Sequence, residues 1–457
     1  MREEQRFDGY PPSPPPFLPT LPPSRPPAYD ASVLMRRLSA SPALASLRHR
    51  NFRLFLTGQF LSLSGTWIQT VAHGWLVLTL TDSPLVVGLV TTLGSLPILL
   101  FTLYGGVIAD RVDKRRFILI LQCLMLCEAL ALGTLTALGI VTVPWVMGLA
   151  VFFGLLTAFE VPARQALVVE LVGKGDLMNA IALNSSAFNI SRVIGPAIAG
   201  ILISAVGIAA CFFANALSYV FVVGGLVAMR LPPMVSPALR TDVGAALGEA
   251  FRYVSRERWP RTLIILTATL SIFGFSFLTM LPVYAKQVLG VGAGGYGAMV
   301  AAVGLGAAIG ALGLAGFGSR VRHGRMALGS AAALGVLLAS IAGAPGIFAS
   351  IVLCAMAGCA MALNGITTNT LLQRLSPDAL RGRVMGFYSF VALGMAPFGS
   401  LQMGWVAEHF GVRSAFALGG TICAGAVGAI VWGSRAGTRT PGSARPAPRL
   451  PGRVLNS

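Results

Sequence analysis

Twelve stretches of predominantly apolar residues follow one another along the chain. They lie near 54–79, 85–109, 117–138, 143–161, 180–206, 208–229, 263–285, 296–317, 327–344, 347–368, 385–407 and 413–433. About 20 such residues in a helix cross the hydrocarbon core of a bilayer. In lipid, only a helix or a closed barrel satisfies every backbone N–H and C=O, and the roughly ten-residue alternation of barrel strands is missing. The reading is an all-α, polytopic membrane protein with twelve transmembrane helices. Composition agrees, since only 11% of residues are charged and 55% are hydrophobic, whereas a soluble domain carries about 25% charged residues.

The net charge of +18 is explained by where it lies. Of 34 Lys and Arg, 31 fall before the first span, after the last, or in 110–116, 162–179, 230–262, 320–325 and 374–383. Lys286 and Arg413 are left for the other side, and Arg192 sits inside a span. This alternation follows the positive-inside rule. It predicts an even number of spans with both termini cytoplasmic, and it removes nucleic acid as the partner of the basic charge. The chain accordingly divides into a disordered, Pro-rich cytoplasmic tail (1–50), a six-helix bundle (51–230), a cytoplasmic loop (231–262), a second six-helix bundle (263–434) and a disordered cytoplasmic tail (435–457). Within the loop, Phe251, Tyr253 and Val254 stand among charges, the pattern either of a helix lying on the membrane surface or of a plain linker. The six cysteines all fall in apolar runs without a CxxC pair and read as small core residues.

The connection between the second and third spans is Gly105-Gly106-Val-Ile-Ala-Asp110-Arg111-Val-Asp113-Lys114-Arg115-Arg116. Small residues let such a short reversal approach the neighbouring helix. Asp110 can accept from the free N–H groups of a helix start, and the arginines can bridge carboxylates. Gly106, Asp110, Arg111, Arg115 and Arg116 match G-x-x-x-D-R-x-G-x-R-R, which resembles the signature of the major facilitator superfamily. Asp113 departs from it, standing where the family has glycine. The corresponding loop of the second half, 316–325, keeps glycines and arginines but lacks the aspartate. Asn51-Phe52-Arg53-Leu54-Phe55, Gly58-Gln59, Gly74-Trp75-Leu76, Pro162–Ala166 and Asn179–Asn184 are similar to a bacterial branch that holds the enterobactin exporter and related efflux permeases. This likeness runs from 51 to about 433.

The resemblance implies two pseudo-symmetric six-helix bundles in a bacterial inner membrane, working by alternating access. It implies that spans 1, 4, 7 and 10 line a cavity while 3, 6, 9 and 12 form the outer support. It also implies a cytoplasmic latch in which Asp110 meets the start of span 11 near Arg383 and Val384, and an arginine of the loop reaches Glu160. The run Arg192-Val-Ile-Gly195-Pro196-Ala-Ile-Ala-Gly200 resembles part of the antiporter motif of drug exporters. Physically, Pro196 removes a backbone hydrogen bond and Gly195 permits a kink.

Polar groups at membrane depth are costly and usually face the protein interior or a water-filled cavity. Arg192 lies twelve residues into span 5, ~18 Å along a helix. It would neutralise an anionic solute, pair with a carboxylate, or hydrogen-bond structurally. Glu128 in span 3 is a proton-coupling candidate, although its span belongs to the outer support. Gln59, Ser62, Thr66 and Gln69 recur on one face of span 1 and read as a cavity wall, with Asn184 and Asn189 of span 5 and Asn364 of span 10 as further candidates. Phe273, Phe275, Phe277 and Met280 of span 7 suit either an apolar cavity wall or the core. His73 reads as a satisfied interface residue.

Walker A, HExxH, CxxC and GxSxG patterns are missing from the sequence, so no cofactor, metal or enzymatic chemistry is expected. The expectation is a secondary active transporter that exports a drug-like, siderophore-like or other amphipathic solute. Protons are the coupling ion in antiport, and one chain works as a monomer in the lipid bilayer. The alternatives are an uptake carrier of the same fold, by symport or facilitated diffusion, and a non-transporting receptor or assembly protein.

Overall fold

The computed structural model describes residues 42–109, 111–229, 243–317 and 322–437. The two predicted tails up to 41 and from 438, together with Asp110, 230–242 and 318–321, lie outside the described residues. The described chain is almost entirely helical. After a 3-10 turn at Pro42–Arg48 come α1 (Arg50–Thr81), α2 (Pro84–Ala109) and α3 (Lys114–Ala137). They are followed by α4 (Val143–Gly173), α5 (Gly175–Ala205) and α6 (Ile208–Ala228). A surface helix, α7 (Val243–Arg256), leads to α8 (Arg258–Val288) and α9 (Ala293–Phe317). The chain ends with α10 (His323–Ala342), α11 (Ile347–Leu375), α12 (Arg381–Phe410) and α13 (Val412–Gly437).

Eleven of the described helices are long and apolar enough to cross a membrane. The twelfth is α1, whose 32 residues are ample but whose polar row dilutes its hydropathy. Large side chains such as Ile201, Leu217, Phe221, Leu312 and Trp432 lie exposed on the outside. On a soluble protein such a surface would aggregate; against acyl chains it carries no cost.

The helices run longer than the apolar stretches that predict them. The expected loop at 162–179 is helical, and α4 passes into α5 through Gly173, whose φ of 66° is non-helical. Glycine takes that conformation without a Cβ clash. The reason for the misreading is that residues beyond each apolar stretch become polar without losing helical hydrogen bonds. Of the two readings of 248–258, a helix rather than a plain linker is observed, and it packs on the second half. Val254 of α7 is buried, the Tyr253 hydroxyl donates to Leu375 O at 2.8 Å, and Phe251 meets Phe387 edge-on. The α8 span contains two π-helical turns, Leu270–Gly274 and Tyr284–Val288, the second just after Pro282. Such turns leave carbonyls free to bend or to accept other partners.

Packing divides the spans into two groups of six. In the first half, α1 packs on α5 and α6, α2 on α4, and α3 on α6; in the second, α9 packs on α11 and α10 on α11 and α13. The halves meet along two seams, α2 with α12 and α5 with α9. These seams are images of each other, each setting the second span of one half against the fifth of the other. Both rest on glycine. A Cβ on Gly88 would stand 2.6 Å from Ser400 O, and one on Gly297 or Gly304 would stand 2.6 Å from Pro196 O or Arg192 O. Close backbone approach of this kind is what holds helices together when lipid supplies no hydrophobic drive.

Gly304→Leu is expected to wedge α5 from α9 and destabilise the protein by about 1–3 kcal/mol, the usual cost of overpacking. Gly148→Leu, where a Cβ meets nothing within 4 Å, serves as the control. Thermal midpoints of the two purified variants in one detergent check this. Equal midpoints would show that the seam has slack.

Candidate functional site

Among the described residues, the polar contacts between the halves gather toward one end of the bundle, where α1, α8 and α12 finish. Asp82 caps α1 in a left-handed conformation, φ 52°, which an aspartate tolerates better than most residues. Its carboxylate pairs with Lys286 Nζ at 2.5 Å, and its carbonyl accepts from Gln287 Nε2 at 2.9 Å. Beside it, Glu408 Oε2 accepts from Ser83 Oγ at 2.8 Å and from the Leu85 backbone N–H at 3.0 Å. One layer deeper, Trp75 stacks on Tyr296 with ring centroids 6.1 Å apart, and Thr92 Oγ1 donates to Pro397 O at 2.9 Å. The two halves are therefore clamped at this end.

At the opposite end, where the basic loops lie, the described ion pairs stay within a half. His49 meets Asp176, Lys114 meets Glu170 at 2.8 Å, and Arg164 meets Glu160 at 2.9 Å in the first half. Arg381 meets Asp378, and Arg383 pairs with Glu249 of α7, in the second. Arg115 and Arg116 of the 111–116 loop have partners other than the predicted Glu160. Asp110 is outside the described residues. Arg115 donates to Leu226 O and Val227 O, and Arg116 leans on Asp113, while Glu160 is held by Arg164 and Gln122. Arg111 is exposed. Asp113, the departure from the family pattern, caps α3 by accepting from Arg116 N at 3.1 Å. The glycine that permits close approach is Gly105, where a Cβ would lie 3.1 Å from Phe159 Cα; one on Gly106 would meet nothing within 4 Å.

Midway along the bundle, Arg192 of α5 sits half-buried with its guanidinium 5.7 Å from the centroid of the Trp67 ring on α1. Phe188 packs edge-on against the same ring, and Gly304 of α9 presses on the Arg192 backbone. Arg192 thus lies where α1, α5 and the second half converge. Asn189 donates to Ser185 O of its own helix, and Asn184 Oδ1 is buried without a partner. Gly195 seats against Trp67 and Ser64, and Gly200 against Gly294. The dihedrals stay helical through Pro196, so these small residues act as close-contact points, Gly195 against α1 and Gly200 against α9.

Several predicted cavity residues face elsewhere. Gln69 is buried against Glu128 of α3 and Asn215 of α6. Gln59 and Ser62 are buried as well. The polar face of α1 therefore turns into the first bundle, because a polar row on a helix looks the same whichever neighbour it meets. Asn364 donates to Ala327 O of α10, and Phe277 packs on Phe416 in the core. His73 Nε2 is buried without a hydrogen-bond partner, not satisfied as expected. Sequence reasoning missed the Asp82–Lys286 and Glu408–Ser83 clamps. The available signal was that acids and a lysine stand alone on the sparsely charged side.

The Asp82–Lys286 pair is half-open to solvent, so it is worth about 0.2–1 kcal/mol. Asp82→Asn, which retains tolerance for the left-handed backbone, is expected to loosen the clamp by about 1.5- to 5-fold. The readout is labelling of Thr92→Cys, in a background without the native cysteines, by a membrane-impermeant maleimide. Asp82→Asn and Lys286→Gln together should add little to either alone. Additive effects would mean that the two charges act separately.

Comparison with known proteins matches residues 41–440 to the family described as transmembrane secretion effector. The staphyloferrin A transporter of Staphylococcus aureus is 28% identical over 385 residues, 81% of this chain and 94% of the relative. The multidrug efflux pump Tap of Mycolicibacterium fortuitum is 28% identical over 363 residues, 77% of this chain and 88% of the relative. The enterobactin exporter EntS of Salmonella typhimurium is 27% identical over 344 residues, 75% and 82% respectively. Among solved structures, a point mutant of the nucleoside transporter NupG aligns with a TM-score of 0.70 at 12% identity, covering 84% of this chain and 99% of its own. The D-xylose–proton symporter aligns at 0.61 and 17% identity, covering 84% and 95%. These structural likenesses carry the fold alone. The chain belongs to the transmembrane secretion effector family, and it is a multi-pass membrane transporter of the major facilitator kind rather than an enzyme.

Proposed function

We propose that this transporter exports an anionic, amphipathic small molecule of siderophore-like or drug-like character, by alternating access and in exchange for protons. The observation that carries the reading is Arg192. A guanidinium at membrane depth needs a counter-charge or a polar environment. Among the described residues, its contact is the face of Trp67 and no carboxylate pairs with it. A cation resting on an aromatic ring, with Phe188 beside it, can take a carboxylate or catecholate by charge-assisted hydrogen bonds while the rings hold the apolar body. The curated relatives named for siderophores and for multidrug efflux support an exported cargo of this chemistry.

Basic loops at one end support a cytoplasmic position for that end and for both termini in a bacterial cell, and the clamped end then faces outward. Cargo then enters from inside, and opening of the Asp82–Lys286 clamp releases it. One chain supplies both halves and serves as the working unit.

The test is accumulation of a catecholate siderophore and of a cationic dye in efflux-deficient cells. The cells carry wild type, Arg192→Gln or Arg192→Lys at matched membrane abundance. Wild type should lower catecholate accumulation, and an uncoupler should abolish the effect. Arg192→Gln should lose it by about tenfold or more, the scale of one charge-assisted hydrogen bond, and Arg192→Lys should retain part of it. Raised accumulation with wild type would identify an uptake carrier, and export of the dye unaffected by Arg192→Gln would remove the anionic-cargo reading.

A further inference from the structure

Behind the cargo site, the first half encloses a polar cluster that the alternating-access scheme does not use. Glu128 of α3 is 2% exposed, and Gln69, Asn215 and Tyr219 around it are 4%, 0% and 1% exposed. The hydrogen bonds run in one direction. Ser218 Oγ lies 2.7 Å from Asn215 O and 3.0 Å from Asn215 Oδ1 and shares its one proton between them, and Asn215 Nδ2 donates to Gln69 Oε1 at 2.7 Å. Gln69 Nε2 donates to the two oxygens of Glu128 at 3.0 and 3.3 Å. Asn215 Nδ2 also reaches the Tyr219 hydroxyl at 3.3 Å. The cluster is built into the backbone packing, since a Cβ on Gly65 would collide with the Asn215 and Ser218 side chains.

The charged and titratable groups around Glu128 are few. From α4, Glu160 is already paired with Arg164 at 2.9 Å. From α6, Tyr219 joins the cluster through Asn215. From α1, His73 stands one turn beyond Gln69, edge-on to Phe212, with Nε2 unpartnered. No cation pairs with Glu128 among the described residues. An ionised carboxylate sealed away from both water and a cation is strongly penalised, while a chain of donors ending on it lowers that penalty. Both forms of the group are thereby accessible, which is the requirement for a site that takes up and gives back a proton.

We propose that Glu128 is the proton-binding site of this transporter, held in the first bundle apart from the cargo, and that α1 couples the two. This rests on the proton-exchange reading above. Trp67 and Gln69 point to different sides of α1, the first to Arg192 of α5 and the second to Glu128 of α3. A cargo anion that draws Arg192 off the Trp67 ring shifts the same two turns of α1 that supply the donor to Glu128. The proton enters and leaves as H⁺ and is carried as the carboxyl O–H.

The test has two readouts on the full-length protein. Infrared difference spectra of reconstituted protein, across a range from about pH 5 to about pH 9, should show a protonated-carboxyl band that disappears as pH rises. The band should vanish in Glu128→Gln and persist, displaced, in Glu128→Asp. In proteoliposomes, Glu128→Gln should cut catecholate transport driven by an imposed pH gradient by about tenfold or more, yet leave counterflow exchange of the same probe within about twofold of wild type. The proposal falls if the band is unchanged in Glu128→Gln or if that variant keeps gradient-driven transport. A band assigned to Glu128, in a wild type whose transport ignores the gradient, would uphold the proton site and instead overturn proton-driven export. Equal loss of exchange and gradient-driven transport in both variants would reduce Glu128 to a structural role.

Discussion

The structure depends on the absence of water along most of its length. Each backbone group must find its partner within its own helix, so the chain is a set of rods. The rods cannot be driven together by burying apolar surface, because lipid is already apolar. What remains is close contact and a few internal polar bonds. The two seams between the halves follow from this. They bring α2 against α12 and α5 against α9 through glycines, where backbone carbonyls lie under 3 Å from where a Cβ would stand.

Polar groups are placed by the same constraint. At one end, Asp82, Lys286 and Glu408 join the halves through solvent-exposed bonds that are each worth little. At membrane depth a charge is too costly to be idle. Arg192 and Glu128 sit there on opposite sides of α1, one at the junction of the halves and one sealed inside the first. The seams between the halves are dense and unforgiving, whereas the clamps are modest, so the halves part more easily at the clamped end than along the seams.

Much of the fold was legible in the chain because hydropathy and loop charge report the bilayer directly. Span number, the grouping in sixes and the family of the 105–116 loop all come from residue types along the line. The site was less legible. A helical face bearing Gln59, Ser62, Thr66 and Gln69 is plain from spacing, but spacing does not say whether that face meets a cavity or another helix; it meets α3 and α6. The loop motif likewise does not distinguish Gly105, which packs on Phe159, from Gly106, where a Cβ would meet nothing within 4 Å. Nor does it show that Asp113 would cap α3.

Sequence alone determined that the chain is a twelve-span major facilitator transporter, because solvent preference is a property of each residue and the signature loop is contiguous. Tertiary structure decided which polar groups are partners. Asp82 with Lys286 and Gln69 with Glu128 are separated by 204 and 59 positions, and it is the crossing of helices, set by small residues at the contacts, that brings each pair within hydrogen-bonding distance.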